Sequence, residues 1–453
     1  MPDSTLAQLA LLAAIPANVL LFYVLRPTVA VAIGLVASAH LLPERTVLDL
    51  PGFPELSKYS IAAAAVYMGG VIRCPQVFLR SSRSKYPLLI FGALLVCNLA
   101  TAILNSDPQI LGYSYRPGLT WVDGTAVCIS DLFSVWLPFH VVRLVTRRGP
   151  DLIEFCRVFV LCALVASAGA WIESVMSPQL HRWVYGFHPH SRFGQTFRYG
   201  GWRPTLFLGH GLDVAKFFFA ALIVAVGLRK SGGIREWPMG RSVWPYLAIL
   251  VVALRSSATW IWTLVALPLA VVSQPLQQAR LATILCVLVL AYPAVRVMGL
   301  VPLDTLQSVT MDVFGEERTE SLTFRIVHED ALMARGLDRP VFGWGKWGRS
   351  RIHNYDGQDT SVTDGLYIRL FGQRGAIALY AYMLILLAPC LAASRAIART
   401  RRVRVSPLAA SLCLVSALLG LDLIFNGLHD YFQFVYAALL ANLASQLNDN
   451  GLK

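Results

Sequence analysis

Residues 376–393 read AIALYAYMLILLAPCLAA, an uninterrupted apolar run with no formal charge, closed by Arg395 and Arg399. At about 1.5 Å of rise per residue such a run crosses most of a hydrocarbon core about 30 Å thick. A soluble domain has no use for it. Working outward, similar runs recur from Leu6 almost to the C-terminus, and 56% of the 453 residues are hydrophobic while only 14% are charged. The mean hydropathy of +0.57 is that of a membrane protein. The reading is an all-α, polytopic helical membrane domain with about 12–13 spans. They are placed at 6–25, 28–42, 58–78, 87–105, 125–145, 152–175, 206–228, 243–256, 258–272, 281–300, 365–393, 407–426 and 431–447.

Lys and Arg mark the cytoplasmic loops of such proteins, and the basic clusters fall on alternate loops. They are Arg80/Arg83/Lys85, Arg143/Arg147/Arg148, Arg229/Lys230/Arg235/Arg241 and Arg395/Arg399/Arg401/Arg402/Arg404. This predicts an N-terminus outside, a C-terminus inside, and two large extracytoplasmic loops at 176–207 and 301–364. No basic residue precedes the first apolar run and no small-residue cleavage site follows it, so the first span is expected to remain in the mature chain. The net charge of +13 sits mainly in the cytoplasmic loops, where it serves topology and anionic lipid, so a nucleic-acid partner is not expected. The eight cysteines lie in or beside apolar spans with no CxxC pair, which predicts packing residues and no bound metal.

The chemistry is concentrated in the two outer loops. In 176–210, Arg182, Arg192, Arg198 and Arg203 occur with His181, His188, His190 and His210, and no acid lies between Glu173 and Asp213. Arginine forks suit phosphate oxygens, and beside low-dielectric lipid each contact counts for more than in water. Trp202 and its aromatic neighbours suit an interfacial belt or stacking on sugar rings, and Gly200-Gly201 permits a turn that aims Arg203 toward the membrane. Arg255, in a tight turn between two short spans, reads as an interface anchor or a further anion ligand.

The second loop is expected to be irregular over 301–317 and helical over 319–336, with Arg325 either reaching a polar cavity or pairing with Glu329 one turn on. Phe342-Gly343-Trp344-Gly345-Lys346-Trp347-Gly348 has alternating glycines whose amides are candidates to cradle phosphate, with Lys346 and Trp344 as candidate ligands. Asp364 and His353 are candidate general bases, Asp364 also being a candidate N-cap for the next helix. Asp131, His140, Glu173, Asp213, Lys216 and Asp422 lie in or beside spans, where ionisable residues would line a transport path.

Taken together, RPTLFLGHG (203–211), LRSSATW (254–260), FRIVHEDALMARGLDRPVFGWGKWG (324–348) and TDGLYIRLFGQRGAIAL (363–379) resemble the O-antigen ligase and polysaccharide polymerase family. The likeness covers about the C-terminal half, from Trp202 to Leu387. It implies a metal-independent, inverting glycosyltransferase of the GT-C type, without a cofactor, at the outer face of a bacterial inner membrane. The implied donor is a glycan on undecaprenyl pyrophosphate, the implied acceptor a hydroxyl of another glycan or lipid, with other polysaccharide-assembly proteins as partners. The resemblance maps the pyrophosphate-binding arginines onto Arg203 and Arg325. Asp364-Gly365 stands where ligases usually have His-Asn, and Gly211-Leu212 where Pro-Asn often follows the first arginine motif. Both departures turn the expectation from ligase toward polymerase. The competing expectations are a carrier-lipid flippase without chemistry and a membrane scaffold.

Overall fold

The computed structural model describes all residues except 1–3, 51–52, 81–84, 191, 238–239, 400–405, 428–429 and 452–453. Arg83, Arg401, Arg402 and Arg404, which contribute to the predicted topology, lie outside the described residues. The architecture is all-α, with three two-stranded hairpins as its only sheet among those residues. Among the described residues, eight helices are long and apolar enough to cross a membrane, which makes this a multi-pass membrane protein. Pro27–Leu41, Val243–Ala253, Ser257–Val272 and Phe432–Leu447 are apolar but shorter. Lys58–Arg73 is also shorter than a full span, at 16 residues.

Burial sorts the long helices into two kinds. Gly211–Lys230 and, in the helix Ser406–Phe425, the stretch Pro407–Phe425 are wrapped on every side, with 94% and 89% of their spans buried. Helices apolar all round belong in the middle of a bundle. Thr5–Val24 and Pro275–Val297 bury only 28% and turn the rest outward, through residues such as Leu6, Leu9, Leu20, Ile284 and Leu288. Those exposed side chains form the apolar belt a bilayer would cover. Leu366–Arg399 packs beside Ser406–Phe425 and Phe432–Gly451 but is broken at Gly375, whose φ of 75° only glycine adopts without strain.

Several boundaries correct the sequence reading. The segment expected to be irregular at 301–317 is mostly the helix Leu303–Phe314, followed across Gly315 by Glu316–Leu337. Its Leu303, Leu306, Val309 and Val313 recur at helical spacing, a short pattern masked by the polar residues between them. The span expected at 125–145 begins at Trp121, where the Thr120 amide donates to Asp123 Oδ2 at 2.8 Å as a helix start. The predicted short hairpin is present, with Val243–Ala253 and Ser257–Val272 meeting at Leu254–Ser256. All eight cysteines are free thiols.

Candidate anion site around Arg203

Phe197–Arg198 pairs antiparallel with Gly201–Trp202 through a turn in which Tyr199 and Gly200 both have positive φ, 52° and 72°. Two left-handed residues in succession make the tight hairpin that the glycine pair predicts. The Arg203 amide then donates to Thr196 O at 2.7 Å, which directs the chain back into the protein. Glu173 pins the adjoining backbone: its carboxylate accepts from the amides of Leu180, Thr205 and Leu206 at 2.9, 2.9 and 2.7 Å. That assigns Glu173 to backbone support rather than a transport path. The Arg203 stem lies against Gly211, where a Cβ would come within 2.8 Å of its Cγ.

The outcome is a guanidinium that is 3% exposed and almost without partners. Arg203 Nη2 donates to Ser256 Oγ at 3.4 Å, and Nε has no acceptor among the described residues. An uncompensated buried charge costs several kcal/mol, so this side chain is set up for an anion. Burial and the neighbouring Arg198 bring its pKa down to about 10, still cationic at neutral pH. Arg198 is exposed beside it. His210 is held neutral, its pKa pushed down to about 3 by burial and by Arg203, and its Nδ1 accepts from the Leu212 amide at 3.0 Å. The rings of His190 and His210 lie 5.1 Å apart.

Two more expected residues join this group. Arg255, at φ 53°, donates from Nη1 to Tyr199 O at 2.9 Å with its guanidinium over Gly201. Trp202 packs against Phe193 and Phe197 at 5.7 and 5.1 Å. Beneath them lies a charge network that the sequence shows only in fragments. Lys216 is 3.9 Å from Asp213 and 2.5 Å from Asp422, and Asp213 lies close enough to Arg203 to act on its charge. Lys58 pairs with Glu44 at 2.9 Å and donates to Phe207 O at 2.5 Å in the same turn. Nothing in the local sequence links Glu44 or Lys58 to residues 203–210.

Arg325 and Asp364 are brought together, Nε to Oδ2 at 3.2 Å, each partly exposed. The expected i,i+4 pair of Arg325 with Glu329 is replaced, because Glu329 accepts from Arg296 at 2.8 Å, from Tyr292 at 3.3 Å and from Tyr367. That clamp holds the helix carrying Arg325 against the helix that begins after Asp364. The Leu366 amide donates to Asn426 O at 3.2 Å, and Asn426 also holds Asp422, so the Lys216 network ends next to Asp364. His353 lies on the adjoining hairpin, with Nδ1 at 3.1 Å from Arg351 O and no partner for Nε2 among the described residues. Arg351 ties that hairpin to Thr363 at 2.8 Å and to Asp359 at 2.7 Å. Although burial works against it, the bonds from Arg351 and Ser361 hold the Asp359 carboxyl below the usual range.

The glycine-rich turn at 342–348 does not offer a phosphate cradle. Gly343, Trp344 and Gly345 donate their amides to Arg339 O, Gly372 O and Gln373 O at 2.9, 2.9 and 2.8 Å. Thr101 and Asn105 occupy the carbonyls of Phe342 and Gly343 at 2.6 and 3.0 Å. The turn is a clasp closed on the Gly375 break, and a Cβ on Gly375 would meet Val341 O at 2.1 Å. Trp344 is part of it, donating to Arg335 O at 2.7 Å between the guanidiniums of Arg335 and Arg339, 3.5 and 4.3 Å from its ring. Lys346 pairs with Asp123 at 2.5 Å, on the helix Trp121–Asp131. Among the described residues, no hydrogen bond, ion pair or ring contact joins Lys346 or Trp344 to Arg203.

No protein-family model matches this chain, and no curated protein matches it.

Proposed function

We propose that this chain is a membrane glycosyltransferase that takes a glycan from undecaprenyl pyrophosphate at the outer face of a bacterial inner membrane, with polymerisation favoured over ligation. The observation that carries the reading is Arg203, a buried cation with an orphaned Nε and a second arginine beside it. A pyrophosphate is the anion of sufficient charge to repay that burial, and the apolar belt suits its polyprenyl tail. The alternation of described basic clusters supports the outer placement, with the N-terminus outside and the C-terminus cytoplasmic.

In the reaction, the acceptor hydroxyl oxygen bonds to the anomeric carbon as the bond from that carbon to the pyrophosphate oxygen breaks. The pyrophosphate leaves as the anion, held by Arg203 and Arg198. The hydroxyl proton passes to the Asp364 carboxylate, with His353 as the alternative base. At rest Arg325 occupies Asp364. Donor phosphate draws Arg325 away and leaves the carboxylate free to accept, so the base is exposed only when donor is bound. Direct displacement inverts the anomeric centre.

The second reading is a carrier-lipid flippase without chemistry, favoured by Lys216 buried between Asp213 and Asp422 in the central helix. Purified protein with a radiolabelled undecaprenyl-pyrophosphate oligosaccharide separates the two. Laddered product from wild type, lost in Arg203→Ala and Asp364→Asn variants with intact thermal unfolding, supports transfer. Unaltered lipid that moves across liposomes removes transfer and leaves the flippase.

A further inference from the structure

A second cleft, mostly apolar with a few charged groups, opens between the helices Tyr86–Ile103 and Trp121–Asp131, capped by the glycine clasp. Its volume is about 100 Å³, and Asn98, Asp123, Lys346, Arg374, Leu119 and Val127 line it. Asn98 is 3% exposed, and its Oδ1 has no hydrogen-bond donor among the described residues. Its Nδ2 donates to Asp131 Oδ2 at 2.7 Å, and Arg374 pairs with the same oxygen at 2.7 Å. The neighbouring Cys128 thiol donates to Leu95 O at 3.4 Å. At the mouth Lys346 pairs with Asp123. Immediately after Asp131 the helix widens into a π turn at Leu132–Trp136, a distortion frequent at functional sites.

An orphaned amide oxygen five residues inside a membrane helix has no bulk water to satisfy it and calls for a donor from a ligand. The two charge pairs in the cleft cancel, so the ligand carries no large net charge. A volume of about 100 Å³ equals roughly three waters at about 30 Å³ each, which admits the aminoethyl end of a head group whose phosphate stays at the open mouth, and excludes an oligosaccharide. Ile103, Trp121 and Val122, on the same two helix ends, turn 64%, 70% and 55% of their surfaces outward, as residues against acyl chains do.

We propose that this cleft binds the head group of a zwitterionic aminophospholipid, its ammonium donating to Asn98 Oδ1 and Asp123 and its phosphate meeting Lys346 and Arg374. The proposal is independent of glycan transfer. A quaternary ammonium has no N–H to offer Asn98, and a glycerol phosphate has no cation for Asp123. The cleft therefore discriminates between membrane lipids of the same chain length.

The test reconstitutes the full chain in nanodiscs of equal parts palmitoyl-oleoyl phosphatidylethanolamine, phosphatidylcholine and phosphatidylglycerol. Native mass spectrometry then counts the lipids retained on ejection. Wild type is expected to keep phosphatidylethanolamine about tenfold over phosphatidylcholine, equivalent to about 1.4 kcal/mol. Asn98→Leu loses that preference; if it fails to fold, Asp123→Asn reports the same loss from the mouth. Equal retention of phosphatidylcholine by wild type, a preference for phosphatidylglycerol, or an Asn98→Leu or Asp123→Asn protein that folds and keeps the wild-type preference overturns the proposal.

Discussion

The turn at 203–210 and the clasp at 342–348 look alike in sequence: each joins a cation to at least one glycine and one aromatic ring beside a membrane helix. They differ in where their donors go. In the clasp three successive amides are committed to Arg339, Gly372 and Gln373, and its lysine is paired with Asp123. In the turn, Glu173 takes the amides of Thr205 and Leu206 while the Arg203 guanidinium is left buried with one long contact. A run of donors becomes a pyrophosphate site only if tertiary structure leaves some of them unanswered, and of these two regions the turn keeps the Arg203 Nε free while the clasp commits its amides at 343–345.

The largest effect that would break this comparison comes from the two cations. Arg203→Ala should lower turnover by about 10² to 10³, the loss typical of one preorganised donor. Lys346→Ala should stay within a few-fold. Comparable losses in single-turnover assays would put both regions in the site and end the contrast.

Glycine substitutions sharpen the other side. Gly343→Ala and Gly375→Ala, each forced to keep a positive φ against backbone, should cost about 1–3 kcal/mol of stability, read as lower unfolding midpoints. Activity per folded molecule should hold for Gly343→Ala. A smaller change comes from Tyr367→Phe, which removes one of the bonds to Glu329, worth about 1 kcal/mol. Hydrogen exchange in Glu316–Leu337 should quicken about fivefold, since about 1.4 kcal/mol is tenfold; unchanged exchange would show that Arg296 alone suffices for the clamp.

The smallest effect concerns pH. His210 titrates near 6.5 when unfolded and near 3 when folded, so between those values the unfolded chain binds the extra proton and acidification favours unfolding. His210→Asn keeps an acceptor for the Leu212 amide and removes the titration. Its unfolding midpoint should therefore fall less than that of wild type between pH 7 and pH 4. His181, lowered by burial to about 4, keeps some acid sensitivity in the variant. An identical acid profile would place His210 in contact with water.

Fold class is legible in the sequence because apolar runs such as 376–393 and 211–228 admit no other solvent than lipid or a bundle core. The pairing of Arg325 with Asp364 and the gathering of Arg198, Arg203, His210, Arg255 and Trp202 around one turn are tertiary arrangements that the sequence does not state. The features hidden from the sequence are long-range. The Glu44 and Lys58 pair supports a turn about 150 residues away, and the partners that close the clasp lie near residues 101–105 and 372–375. Trp344 and Lys346 read as ligands because local sequence does not record Arg335, Arg339 or Asp123. The helix at 303–314 escapes a sequence reading because its apolar face is narrow and stays mostly exposed, at Leu306, Val309 and Val313.

The central claim is that Arg203 is buried at a cost to stability for the sake of an anion. The most direct measurement is the thermal unfolding midpoint of wild type and Arg203→Met, each with and without undecaprenyl pyrophosphate. Without ligand, the variant should unfold no lower than wild type, because a buried unpaired charge has been exchanged for an apolar side chain of similar volume. At about 100 times its dissociation constant the lipid should stabilise wild type by about 2.7 kcal/mol and leave the variant unmoved. A variant that unfolds lower yet gains as much from the lipid would contradict the account, making Arg203 a structural residue and moving the pyrophosphate elsewhere.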